Sequence, residues 1–449
     1  MANPYPILAM QPAQPAVGWS QPHLPHGLPT TRLARPGGWL RFEIGWLQPD
    51  QAVKNLETVV SLLQAGTGTL EECGRLISQC LLEVNGAWAG GDRGQPPPVE
   101  LTRFVRIRLR QVDELVSQCR FHGRGLLDGQ SGVAGLGAGV VFIRGGPNTS
   151  SSPLEGFEVR ILGFPSRASI TGGETVHEDW LRAEREIFLA EGENYIRYIP
   201  QDGETVEHFL ARLQNTVVRA GLDLEVGLTR QRRLIVRHNQ YGSQFKFKGS
   251  SRVTPLLSKR PGKVEWSRRG RDIHGTLDGE SAFGIGRMLV GYLDNTRTSE
   301  LAVLWRGGPL EDGRNGRIHV AQNGLLFQDG DNSERPLVRL TLPALQTWNL
   351  GRWVETRSGY HSLADARMET WPEVQDTLNV LFAVSCELDD WRERMQGWVK
   401  RYQNQALTYL RRHPGGDDRP LLSQQRANEA EEMAKVLRHA IQAGPDGIA

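Results

Sequence analysis

The sequence predicts an α+β protein: an antiparallel α-helical rod formed by N- and C-terminal segments, with a β-rich domain inserted between them. Three observations carry this. Leu56, Leu63, Leu70, Ile77 and Val84 recur every seven residues near the front. Val374, Leu381, Leu388, Met395, Tyr402 and Tyr409 do the same near the back. Between them lie short β-favouring runs punctuated by glycine, which totals 51 of 449 residues. A seven-residue repeat keeps one seam of a helix against a partner helix, so the two ends pair and the middle is a separate lobe.

Residues 1–48 form a proline-rich arm, with Pro4, Pro6, Pro12, Pro15, Pro22, Pro25, Pro29 and Pro36. Proline removes an amide donor and clashes with the preceding turn, so no useful helix survives that spacing and an extended, disordered arm is expected. Residues 49–150 are read as the N-terminal half of the rod. Val59, Cys73 and Cys80 lie beside the first stripe, with Gly66 in the gap between them. Leu101, Phe104, Val105, Leu109, Val112, Leu115, Val116 and Cys119 form a second stripe. Asn85-Gly86 and the stretch from Gly90 to Pro98 are read as breaks that make these two antiparallel helices. Gly135, Gly137 and Gly139 lack the strand–helix context of a dinucleotide site and are read as a loop. The Gly/Ser/Pro stretch 140–156 is placed at the boundary.

Residues 151–348 are read as the inserted β-rich domain. Runs 157–162 and 233–236 are strands, and Val206, Phe209, Leu210, Leu213 and Val217 give a helix between them. The glycines from Gly275 to Gly286 suit tight hairpins that need positive φ. Residues 349–416 return to the rod. Thr370 with Glu373 makes a capping box, with Pro372 tolerated in the first turn, and a helix of about 40 residues follows. Leu378, Val399 and Ala406 supply its second row, and His413-Pro414-Gly415-Gly416 ends it. Residues 417–449 are a shorter terminal helix.

Charge excludes little by itself. Lys plus Arg number 53 against 51 Asp plus Glu, which gives no global electrostatic case for nucleic acid or an anionic membrane. No run of about twenty apolar residues exists, so no membrane span is expected. No secretory signal pattern is visible either. Cys73, Cys80, Cys119 and Cys386 contain no C-x-x-C pair and fall on apolar rows, which reads as small buried hydrophobes. A bridge from Cys73 or Cys80 to Cys119 stays open. His177-Glu178 begins an H-E-x-x-H motif but the second histidine is missing. Asp329-Gly330-Asp331-Asn332 lacks the spaced oxygens of a calcium loop and reads as a turn. The basic run 259–271, with Trp266 inside it, reads as a solvated loop rather than a polyanion site. No nucleophile elbow or P-loop is present. The chain is therefore expected to be no enzyme and to need no cofactor or metal. Trp391, Trp398, Tyr402 and Tyr409 fit a core and an interface equally.

Specific phrases add a resemblance. Ser61-Leu62-Leu63-Gln64-Ala65 leading into Gly68-Thr69-Leu70-Glu71-Glu72 resembles the first rod helix of bacterial flagellins, S-L-L-Q-T-A-x-G-A-L-x-E. Val112-Asp113-Glu114-Leu115 and the run from Phe121 to Gly129 resemble the flagellin phrase ending F-N-G-x-x-L-L-D-G. Residues 202–247 and 272–289 are similar to inserts of flagellins and filament-cap proteins. Asn323 to Gln328 resembles the strand that precedes the return to the rod, and residues 403–404, 427–433 and 441–444 resemble flagellin C-terminal phrases. The resemblance implies a divergent flagellin that lacks the N-terminal inner-tube helix and is truncated at its C-terminus. It implies a structural filament subunit or filament-associated accessory, exported to the extracellular flagellum without a cleaved signal peptide. Expected partners are other flagellin subunits or filament proteins and an export chaperone, with no nucleic acid. The packing residues would be Leu56, Leu63, Leu70, Ile77, Leu109, Val112, Leu115, Leu381, Leu388, Met395, Trp398 and Tyr402. The alternative is a non-polymerising binding module on the same frame, a secreted adhesin or an export or regulatory partner. An unexported chain would stay cytoplasmic.

Overall fold

The computed structural model describes residues 49–412 apart from 92–94, 179–180, 182–185, 253–255, 258–259, 309, 311–312 and 328–337. The proline-rich arm, the terminal segment 413–449 and the Asp329–Asn332 turn lie outside the described residues. Helix α1 spans Pro49–Gly90 and α2 spans Val99–Gln118. Two short pairs of residues, β1 (Arg120–Phe121) and β2 (Arg124–Gly125), close a hairpin. Strands β3 (Val133–Ala138), β4 (Val141–Arg144), β5 (Phe157–Gly163), β6 (Arg167–Thr175), β7 (Ile187–Glu191) and β8 (Asn194–Tyr198) follow. Helix α3 (Val206–Arg219) precedes β9 (Leu224–Leu228), β10 (Arg233–Tyr241), β11 (Lys248–Ser251) and β12 (Glu265–Trp266). Then come β13 (His274–Leu277), β14 (Glu280–Ile285), β15 (Met288–Gly291), β16 (Ala302–Leu304) and β17 (Asn315–Gln322). Strands β18 (Leu325–Phe327) and β19 (Val338–Leu340) lead to α4, Trp371–Arg412.

The rod is made of α1, α2 and α4. At 42 residues each, α1 and α4 extend about 63 Å. Every residue of the two seven-residue rows is buried. Their shared core also takes in Val105, Val116, Cys73 and Cys80. The Asn85-Gly86 break expected from sequence does not occur: α1 runs through it to Gly90. Tertiary cover decides this, because Val84 is buried just before it and Trp88 stacks edge-on to Trp371 just after it, 6.1 Å away. Helix α4 starts where the capping residues place it. Glu373 accepts the Glu369 and Thr370 amides, both at 3.0 Å, and takes Arg367 Nε at 2.6 Å on its other oxygen. Burial raises the Glu373 pKa, but these donors outweigh it and hold the group below the ordinary range. Glu373→Ala is expected to cost about 1 kcal/mol. Thermal unfolding followed by helical circular dichroism checks it.

Among the described residues the lobe has two large cores and a smaller cluster of Ile143, Met288, Val290, Ala302 and Leu304. Eight antiparallel strands run in the order β3-β17-β5-β13-β14-β15-β16-β4 around Phe142, Phe157, Val159, Ile161 and Leu277. This sheet takes its first two strands from before position 151. The glycine run read as a loop is strand β3, paired along its length with β17. Glycine hides strand periodicity, and here it is required: a Cβ on Gly135 would collide with the Phe142 ring, and one on Gly137 with the Val140 carbonyl. The glycine-rich run from Gly275 to Gly286 does hold a tight hairpin, between β13 and β14 at Asp278-Gly279, with φ of 51° and 78°. The second core lies under α3. Phe209, Leu213 and Val217 share this core with Leu189, Leu224 and Leu234 from the sheets β6-β10-β9 and β12-β11-β7-β8 and with Phe247 just before β11. The basic run read as a loop contributes β12, which pairs with β11.

Candidate functional site

In the rod, α2 and α4 both run against α1. A Cβ on Gly66 would lie 2.7 Å from Met395 Cε, while Trp88 meets Trp371 at the other end, so α4 runs against α1. Thr69 lies beside Cys119 and Cys80 beside Arg108, so α2 also runs against α1. The packing residues marked in the sequence converge here. Leu56, Leu63, Leu70 and Ile77 from α1, Leu109, Val112 and Leu115 from α2, and Leu381, Leu388, Met395 and Tyr402 from α4 share one core. Trp398 is half-buried against it and lies 6.2 Å from Trp391. None of Cys73, Cys80, Cys119 and Cys386 is in a disulfide. Burial pushes Cys80 up to about 12 and Cys119 up to about 11, and it raises Cys73 as well. Thiols so placed stay protonated and pack as apolar groups.

The rod joins the lobe through a neck that the sequence phrases build. In the hairpin between β1 and β2, His122 and Gly123 have φ of 49° and 79°, as a type I′ turn requires. Leu126 and Leu127 then enter the rod core. The outgoing chain lies beside the returning one. Asp128 bridges Ala344, the Leu345 amide donates to the Leu127 carbonyl at 2.8 Å, and the Leu342 amide to Ser131 at 2.8 Å. Asp113 on α2 locks this crossing, accepting the amide and hydroxyl of Thr347 at 2.7 and 2.8 Å. Asp113 and Asp128 both fall inside the flagellin-like phrases, where nothing in the sequence marks either as a joint.

A second joint was missed altogether. On α4, Val380, Val384 and Trp391 form a row beside the heptad seam, and Glu387 sits inside that row, fully buried. Arg144 at the end of β4, Trp353, the Gly351 amide and Asp390 surround its carboxyl. Burial pushes Glu387 up to about 8, partly offset by Trp353, Gly351 and Arg144, and burial also lowers Arg144 to about 10. The signal available in the sequence was the apolar row 380-384-391 with a glutamate in its middle. Nearby, Arg287 pairs with Glu355 at 2.9 Å, and Arg357 donates to the carbonyls of Leu222 and Leu224. These tie the 350s segment to both large lobe cores.

Among the described residues no group of three His, Cys, Asp or Glu is placed to hold a metal ion, and no helix is long and apolar enough to cross a membrane. Fold and joints together define a helical-rod protein that carries a β lobe on a paired-strand neck. No family model matches the sequence, and no curated protein does. Solved structures give local likenesses. The D1-D2-D3 domains of the flagellar cap protein FliD from Escherichia coli match with a TM-score of 0.28 and 9% identity. That match covers 45% of this chain and 59% of that one. FliD from Bdellovibrio bacteriovorus gives 0.24 and 13%, over 39% of this chain and 98% of that one. These are cap proteins rather than flagellins, and likeness at this level carries no functional weight.

Proposed function

We propose that this chain is a structural, non-catalytic component of the bacterial flagellum, a flagellin-like filament subunit or filament-associated accessory. The observation that carries the reading is the neck. Two phrases that resemble flagellin, at 112–129 and 323–328, flank the inserted lobe, and the neck is built from the first of them and the residues that follow the second. Asp113, Leu127 and Asp128 meet Thr347, Leu345 and Ala344 where the lobe leaves the rod. The residues marked for packing are consumed inside the rod, so contacts with neighbours fall to its outer surface. Leu82, Val99, Ile107, Phe382 and Leu407 are exposed there. In this reading the chain leaves through the flagellum's own export channel, and its partners are other filament proteins. Electron microscopy of filaments purified from cells that express a labelled copy tests it. Label along or at the tip of the filament is expected. Filaments free of label, with the labelled protein abundant in the cell, would sink the proposal.

A further inference from the structure

The outer face of the four-stranded sheet β12-β11-β7-β8 is occupied by an unusual set of side chains. Residues opposite one another across antiparallel strands share a face. Trp266, Lys248, Ala190 and Tyr195 form one such row. Ser250, Phe188 and Arg197 form the next, with Val264 two residues before Trp266. Ile199 directly follows the end of β8. The opposite face carries Leu189, Ile196, Ile187 and Tyr198, all buried under α3. On the outer face Trp266 is 56% exposed and Tyr195 63%, and at the strand ends beside them Ile199 is 54% and Val264 47% exposed. Lys246 and Lys248 hold their ammonium groups 4.8 and 4.7 Å from the Trp266 ring centre. Among the described residues, Glu186, paired with Arg197 at 3.6 Å, the exposed Glu193 at the β7–β8 turn and the half-buried Glu265 of β12 are acidic groups on these strands and their turns. The strand pairings β11–β7 and β7–β8 run without a bulge, so the rows stay in register across the face.

From this arrangement we infer that the outer face of the lobe's four-stranded sheet docks on an anionic lipid surface. The inference is independent of the flagellar reading. Three features select this partner. Exposed valine and isoleucine beside tryptophan and tyrosine suit the boundary between headgroups and hydrocarbon, where indole and phenol rings concentrate. They do not suit a polyhydroxylated or phosphate-bearing chain in water. Base stacking needs open ring faces, and the Trp266 ring already carries two ammonium groups. A second copy docked face to face would bring Lys246, Lys248 and Arg197 against their own like charges. Anionic headgroups meet those cations, and the apolar side chains between them enter the interface.

The test is sedimentation of the full chain with vesicles of phosphatidylcholine alone, or mixed in equal parts with phosphatidylglycerol, at about 0.15 M salt. Binding to mixed vesicles and not to neutral ones is expected. Lys246→Gln with Lys248→Gln is expected to weaken it roughly thirtyfold. Val264→Ser with Trp266→Ser also weakens it, a loss that a purely ionic contact would not show. All four residues are exposed, so thermal unfolding should match the parent and excludes misfolding as the cause. Three outcomes would overturn the inference. One is vesicle binding indifferent to both double variants. Another is capture of a single-stranded oligonucleotide as tight as vesicle binding, with the Val264/Trp266 variant unimpaired. The third is no vesicle binding but self-association that the Val264/Trp266 variant abolishes.

Discussion

Leu63→Ala is expected to lower the unfolding free energy by about 3 kcal/mol, within the range seen for large-to-small changes at sealed core sites. Leu63 is fully buried in the rod core. Met395 arrives from α4 close by, against Gly66 one turn further on. The surroundings have little room to collapse, because no part of Leu63 reaches solvent and the rod core is close-packed around it. The lost transfer free energy is therefore accompanied by a cavity. Leu82→Ala supplies the contrast, since Leu82 is on the same helix and 73% exposed. Its change should fall within about 0.5 kcal/mol of the parent. Urea unfolding read by helical circular dichroism measures both. Equal effects at the two positions would mean that the heptad seam does not hold the rod together.

The seam was legible because its chemistry is periodic. Leucine, isoleucine and valine at seven-residue spacing state which side of a helix is covered, and the coverage followed for Leu56, Ile77, Leu381 and Tyr402. The α3 face from Val206 to Val217 was readable for the same reason, and a tight hairpin within the run from Gly275 to Gly286 from its glycines. What resisted reading was set by tertiary contact. Strand β3 has glycine where alternation would show, and it is held by the Phe142 side chain that fills the space left by Gly135. Asn85-Gly86 carries a helix-breaking signal that the packing of Trp88 on Trp371 overrides. The sheet containing Trp266 was missed as a surface because its aromatic and basic residues come from three separate stretches, near 195, 246 and 266. Only strand pairing puts them side by side.

Glu387 gives the pH dependence expected to be largest. Its carboxyl is fully buried between α4 and the lobe, and burial raises it from 4.5 to about 8. Below pH 4.5 the group is protonated in both the folded and unfolded chain, and its contribution is constant. Between 4.5 and about 8 the unfolded chain has released the proton and the folded chain retains it. The unfolded state therefore binds fewer protons, and stability falls as pH rises through this window, by up to ~1.4 kcal/mol per pH unit. Above the folded pKa the loss is complete. Glu355 and Asp376 are also raised by burial and add slopes of the same sign, so the readout is the difference from a variant. Glu387→Gln keeps the shape and removes the titration. The variant and parent should converge toward pH 5, and the variant should be several kcal/mol the more stable at pH 8. Urea unfolding at intervals across that range decides it. A difference that stays flat with pH would mean that the carboxyl titrates normally, with water reaching it through the seam beside Arg144. Because Glu387 lies between Arg144 on the lobe and Trp353 on the returning segment, ionising it strains the joint that sets the lobe on the rod. Loosening at high pH should therefore begin at that seam. Hydrogen exchange of the 350s segment should accelerate before that of residues 56–84, whose amides lie in the helix packed on the far side of the core.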